Sequence, residues 1–110
     1  MAGGGVPASG AWAEIQELAE KLTIPVAASL NAKSCIPNDH PLCAGVVGRY
    51  SHWYANRIVS GADLVLFVGS HTSDQVTDMW TLPPRGTPNI QIDIDPAELG
   101  RSYPATVPLV

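Results

Sequence analysis

The sequence predicts an α/β domain built on a parallel sheet with helices on both faces, and three observations carry that prediction. Apolar residues make up 45% and charged residues 15% of the 110-residue chain, a balance that suits strands buried on both sides rather than a disordered segment. The run from Asp63 to Gly69, Asp-Leu-Val-Leu-Phe-Val-Gly, is apolar without alternation, as a doubly covered strand must be. An amphipathic helix also hands over to another apolar run within a few residues, which is how a parallel helix–strand unit reads. At this length residues 1–110 form one domain around one core.

The elements follow in order. After Gly3-Gly4-Gly5 and Pro7 to Gly10, residues Trp12, Ile15, Leu18, Ala19 and Leu22 recur at helical spacing across Ala11 to Leu22, and Glu17 can pair with Lys21. Ile24 to Ala28 is a short strand. The stretch from Asn31 to Pro41 turns polar and reads as a surface loop, with Pro37 to Pro41 as its turn. Gly45 to Gly48 reads as a brief strand, Ser51 as the cap of a helix running to Ser60, and Gly61 as its stop. Asp63 to Gly69 is the clearest strand, and Asn89 to Ile94 is another. The second leads into Asp95-Pro96-Ala97-Glu98. There Asp95 can cap the Glu98 amide, Pro96 suits the first helical position and Glu98 can reach back, so a short helix is expected. Thr106 to Val110 is the last strand.

Several function classes are disfavoured. Six Lys and Arg and a net charge of −4 leave no basic stripe for a nucleic acid or an anionic membrane. Cys35 and Cys43 form no CxxC pair and are read as reduced cytosolic thiols. No basic and apolar leader and no membrane-length apolar run is present, so a soluble, cytoplasmic protein is expected. His40, His52 and His71 lack metal-ligand spacing, and no carboxylate cluster accompanies them. Gly69-Ser70-His71 does not match the GxSxG turn of a serine hydrolase. No catalytic residue and no metal ligand is assigned. Trp12, Trp53 and Trp80 are read as core or domain-contact residues.

In an open parallel sheet, ligands bind beyond the carboxyl ends of the strands. Those ends are Gly3-Gly4-Gly5, Ser29-Leu30, Gly48-Arg49-Tyr50, Gly69-Ser70-His71 and Asp93-Ile94. Glycines admit a phosphate or ribose close to the backbone, and a strand-end carboxylate can bind a ribose hydroxyl. Together these ends outline a dinucleotide-shaped crevice, although Gly-Gly-Gly is not the GxGxxG fingerprint and any one glycine can simply serve a tight turn. Asp93 is the ligand candidate and Asp95 the helix cap. Arg49 and Tyr50 follow a strand-end glycine and can face a bound nucleotide.

With these positions placed, the sequence resembles the central domain of thiamine-diphosphate-dependent enzymes of the acetolactate synthase type. The resemblance is carried by Gly3 to Val6, Ile24-Pro25-Val26, Asp39 to Leu42, Gly45 to Gly48, Tyr54-Ala55-Asn56, Ala62 to Leu66, Gln91 to Gly100 and Tyr103-Pro104. It implies a Rossmann-like three-layer αβα fold with a parallel sheet (a DHS-like NAD/FAD-binding fold), a middle domain cut from a larger parent. In that family thiamine diphosphate and Mg2+ lie between the other two domains at dimer interfaces, so this chain would hold neither. The middle domain carries FAD or ADP in some members. Carried over, the nucleotide contacts fall on Gly3, Gly4, Gly5, Leu30, Gly48, Arg49, Tyr50, Gly69, Ser70, Asp93 and Ile94.

Two departures qualify the resemblance. Flavin-holding members look like Gly-x-Arg-Phe-Asp-Asp-Arg after the fourth strand, whereas this chain reads Gly69-Ser70-His71-Thr72-Ser73-Asp74-Gln75. Both arginines are missing, which removes a charge-assisted contact to the diphosphate; Arg49, in the family's Gly-Met-His-Gly position, is the residue that can replace the charge. The family's first strand ends at the triple glycine, and this chain begins there. In the order 3-2-1-4-5-6 that strand is central, so the sheet is expected to rearrange or to close its gap against a second copy.

Three functions remain open from sequence. The chain binds an adenine nucleotide for a parent acting on 2-keto acids, or it is a structural spacer among the parent's other domains, or it is an independent small nucleotide-binding or interaction protein without catalysis. The parent would be a homo-oligomer.

Overall fold

A computed structural model describes residues 1–110. In chain order its elements are α1 (Gly5–Ser9), α2 (Trp12–Leu22), β1 (Val26–Ala28), a single 3-10 turn (Leu30–Ala32), β2 (Cys43–Val46), α3 (Trp53–Ser60), β3 (Val65–Val68), β4 (Asn89–Ile92) and β5 (Val107–Leu109). All strand pairs are parallel: β1 with β2, β3 with β4, and β4 with β5.

The two groups of strands are joined through Ala2, which bridges Ala28 on one side and Val68 on the other, both in parallel. Ala2 N–H donates to the Ala27 carbonyl (2.8 Å) and its own carbonyl accepts from Ser29 N–H (2.9 Å). On the other flank Gly3 N–H donates to Val68 O (2.8 Å) and Val68 N–H donates to Met1 O (3.0 Å). The sheet order is therefore β2, β1, Ala2, β3, β4, β5, the ordinary doubly wound order. The expected rearrangement does not occur. Three residues of backbone suffice because each flanking strand needs only a pair of donors and acceptors at this level, and Met1 to Gly3 supply them within one chain.

Successive strand residues face opposite layers. Val26 and Ala28 point to α1 and α2, forming a buried cluster with Val6, Ile15 and Ala19. Ala27 points to the other face, with Ala44, Ala55 and Val59 under α3. Val65 and Phe67 meet Tyr103, whose ring centroid lies 5.7 Å from that of Phe67. This is the expected three-layer αβα arrangement. Cover is incomplete: all three β5 residues are exposed, and Ile90 and Ile92 are half-buried.

Helix α2 lies where its 3.6-residue periodicity puts it, and Glu17 pairs with Lys21 at 2.8 Å. Other expectations are corrected. Strand β2 starts and ends two residues earlier than Gly45–Gly48, because its pairing with β1 runs from Cys43 opposite Val26 to Val46 opposite Ala28, where β1 ends. Ser51 does not cap α3; His52 occupies that position in extended backbone without a side-chain bond. Asn56 instead ties the helix to the end of β2: Gly48 N–H donates to Asn56 Oδ1 (2.8 Å) and Asn56 Nδ2 donates to Gly48 O (3.0 Å). The helix expected at Asp95–Glu98 is a series of turns. Asp95 Oδ1 accepts from Ala97 N–H (2.9 Å), while Glu98 Oε2 turns to Arg101 (3.0 Å) and His71 (3.2 Å) rather than back to the cap.

Two buried side chains on β4, Asn89 and Gln91, replace apolar packing with hydrogen bonds. Gln91 Nε2 donates to Asn89 Oδ1 (2.7 Å) and Tyr103 O (2.8 Å), Gln91 Oε1 accepts from Gly100 N–H (2.8 Å), and Asn89 Nδ2 donates to Pro104 O (3.0 Å). Apart from a longer Asn89 Nδ2 bond to Thr87 O (3.4 Å), these bonds go to the segment that leads into β5 or to the network's own partner, so the network fixes that segment on the sheet. Gln91→Leu should lower unfolding stability by about 2 to 4 kcal/mol, because it leaves Gly100 N–H and Tyr103 O unpaired. The exposed Lys21→Ala should change it by less than about 0.5 kcal/mol. Urea denaturation midpoints of the two variants decide between them.

Candidate nucleotide-binding rim

The carboxyl ends of the strands form one rim, as the parallel topology requires. Its first property is close contact of backbone with backbone. A methyl group added at Gly3 would collide with the Gly69 carbonyl oxygen, and one at Gly5 would lie 2.7 Å from Gly69 Cα. Gly69, at φ +54°, faces Gly5 Cα in the same way, and Gly5 N–H donates to Gly69 O (3.0 Å). At Gly48 an added methyl would meet the Gln75 carbonyl oxygen, the oxygen that also accepts from Arg49 N–H (2.8 Å). Gly3, Gly5, Gly48 and Gly69 thus make room for neighbouring loops. Gly4 alone of the triplet has ordinary clearance, its nearest neighbour being Asn31 Cβ at 3.5 Å.

The loops after β1, β2 and β3 enclose a cavity of about 120 Å3, and Leu30 and Asn31 also border a larger groove of about 720 Å3 beside α2. Ser29 and Leu30 line the smaller cavity after β1, Val47 and Tyr50 after β2, and Ser73 and Gln75 after β3. Of the residues assigned from sequence, Leu30 and Tyr50 therefore meet at the crevice. Both are exposed, Tyr50 by 67%. Arg49 does not line it; its Nη1 lies 3.6 Å from Met79 Sδ. Ser70 is buried, and its Oγ accepts from Thr72 N–H at 3.4 Å. Asp93 Oδ1 accepts from Asp95 N–H (3.1 Å), and Ile94 is 94% exposed, so neither reaches the cavity.

Ser29 Oγ and Thr72 Oγ1 are buried without a hydrogen-bond partner, and both belong to strand-end loops. Buried hydroxyls are ordinarily paired. Sequence reading passed over Thr72, which sits at φ +45° without a glycine to signal it, and Asn56 and Gln75, whose roles depend on contacts across the fold. Across the rim's far side, Arg101 Nη2 donates to the His71 carbonyl (2.8 Å) and pairs with Glu98, so the loop after β3 is clasped to the turns after β4.

No three His, Cys, Asp or Glu side chains converge on a metal-sized site. Burial raises the Cys35 thiol pKa above its ordinary value, and Cys35 and Cys43 are both free. Trp12, Trp53 and Trp80 are 46%, 72% and 42% exposed, so none is a core residue of this domain. No helix is long and apolar enough to cross a membrane.

The fold and rim define a doubly wound parallel α/β domain with a small strand-end crevice. Over residues 1–110 the sequence matches the family described as "Thiamine pyrophosphate enzyme, central domain", and the chain belongs to that family. It is 44% identical over 111 residues to the probable acetolactate synthase large subunit of Methanocaldococcus jannaschii, covering 100% of this chain and 19% of that protein. It is 40% identical over 111 residues to the acetolactate synthase of Arthrospira platensis, with 98% and 19% covered. A glyoxylate carboligase of Escherichia coli O157:H7 is 36% identical over 102 residues, with 92% and 17% covered. The chain thus spans under a fifth of the length of these relatives.

The rim contacts make a graded prediction. Gly48→Ala combines a positive φ with a carbonyl collision and should destabilise by about 3 kcal/mol or more. Gly86→Ala, at φ +89° with nothing within 4 Å of the added carbon, should cost only about 1 to 2 kcal/mol. Equal losses in thermal unfolding would remove the carbonyl contact from the explanation.

Proposed function

We propose that the chain is the middle, structural domain of a longer thiamine-diphosphate-dependent enzyme acting on 2-keto acids, and that its rim does not hold FAD. The observation that carries this reading is the size of the crevice. About 120 Å3 falls below the roughly 300 Å3 at which ligand pockets begin, because backbone already fills the space beside Gly3, Gly5, Gly48 and Gly69. The missing arginines after β3 act in the same direction, and Arg49, turned towards Met79, does not compensate.

Thiamine diphosphate with Mg2+ supplies such a parent with an electron sink for cleaving the bond beside a keto group. This chain's part is to position the domains that hold it. The open half of the sheet suits that role: Ile94, Leu109 and Val110 are 94%, 45% and 83% exposed, more apolar surface than a finished face normally leaves. On this reading the parent is a cytoplasmic homo-oligomer whose other domains cover that surface.

A second reading, an adenine nucleotide of ADP size at the crevice, is favoured by one observation. Ser29 lines the cavity, and its Oγ is buried and lacks a partner. Calorimetric titration of the chain with FAD, NAD and ADP separates the readings. The structural role predicts no saturable heat with any of them up to about 1 mM. Micromolar ADP binding moves the conclusion to the second reading, and micromolar FAD binding defeats the size argument altogether.

A further inference from the structure

A groove of about 430 Å3 shares no lining residue with the strand-end crevice. We propose that this groove, between Trp80, Arg85 and Arg101, binds a small anion carried on a planar ring, its acidic group a phosphate or a carboxylate.

Its walls are preorganised. One wall is the segment Arg101 to Pro104, held on β4 by Asn89 and Gln91, which bond the Pro104 and Tyr103 carbonyls. Tyr103 crosses the interior, and its hydroxyl donates to Leu82 O (3.0 Å). Trp80 closes a left-handed turn in which Asp78, Met79 and Trp80 have φ of 46°, 58° and 60°. Non-glycine residues occupy that region at a steric cost. The buried Thr77 holds the turn: Trp80 N–H donates to Thr77 Oγ1 (3.0 Å), and Leu82 N–H donates to Thr77 O (2.9 Å). Strain kept in place by a buried side chain positions Trp80 at the groove.

The charge is disposed for an anion. Two of the chain's six cationic side chains line the groove although the net charge is −4. Arg85 has no carboxylate within ion-pair distance. Its charge is nevertheless felt at the buried Tyr103 hydroxyl, where it offsets part of the rise in pKa caused by burial. Arg101 Nη2 donates to the His71 carbonyl and lies within ion-pair distance of Glu98, which leaves donors on Nη1 and Nε. Glu98 neutralises part of that charge, so Arg85 is the main anion ligand. Ser102, also in the wall, offers a hydroxyl. An arginine fork suits a phosphate or carboxylate, and a half-exposed indole suits a flat ring.

The test follows the Trp80 indole and Gly86 amide signals by NMR while the full chain is titrated with phenyl phosphate, benzoate and inorganic phosphate at low salt. Saturable shifts with a Kd below about 1 mM for at least one ring anion, tighter than for inorganic phosphate, are expected. Phenyl phosphate binding above benzoate identifies phosphate as the preferred group, the reverse identifies carboxylate, and both orders support the site. Arg85→Gln should weaken binding at least tenfold, and Arg85→Lys, which keeps the charge but not the fork, should fall between. An unchanged affinity in Arg85→Gln overturns the proposal, as does the absence of saturable shifts with all three probes up to about 10 mM. Loss of rim binding by any nucleotide leaves this result untouched, since the two sites share no residue.

Discussion

The backbone of Met1 to Gly3 runs between β1 and β3, and the arrangement of the rim depends on that placement. Ala2 pairs with both strands, which sets the following glycines directly against the loop that leaves β3. Side chains at Gly3 or Gly5 would push this loop, and with it Gly69, away from the sheet. The loop in turn reaches the end of β2 through the Gln75 carbonyl and Arg49 N–H. Contacts that hold the sheet together therefore also bring the strand-end loops against one another.

Elements whose signals are local were legible in the sequence. The α2 stripe and the β3 run needed no tertiary information, since periodicity and continuous apolarity are properties of the segment itself. Expectations failed where a side chain had a choice of partners. Glu98 was placed to cap its own turn, but Arg101 and His71 compete for the same carboxylate, and the helix does not form. Asn56 looked like an ordinary helix residue, yet its amide makes both bonds to Gly48. The turn at Asp78 to Trp80 carried no glycine to announce its left-handed backbone.

The rim glycines are an instructive intermediate case. Their types state correctly that something must approach closely. They do not state whether the approaching group is a phosphate or another stretch of chain, and four of the rim glycines meet chain. Family membership does not decide this either, because it concerns the fold and the kind of parent. The buried hydroxyls without a partner, Ser29 Oγ and Thr72 Oγ1, emerge only once the loops are placed.

Amide hydrogen exchange tests the central placement most directly. Gly3, Ser29 and Val68 N–H all donate into the Ala2 bridge, so their protection should match that of the β3–β4 ladder and be lost only in global unfolding. Exchange of these three amides as fast as that of the open loop at Gly86, with β3 and β4 still protected, would mean that Ala2 does not join the two halves of the sheet and that the glycine contacts at the rim are not maintained.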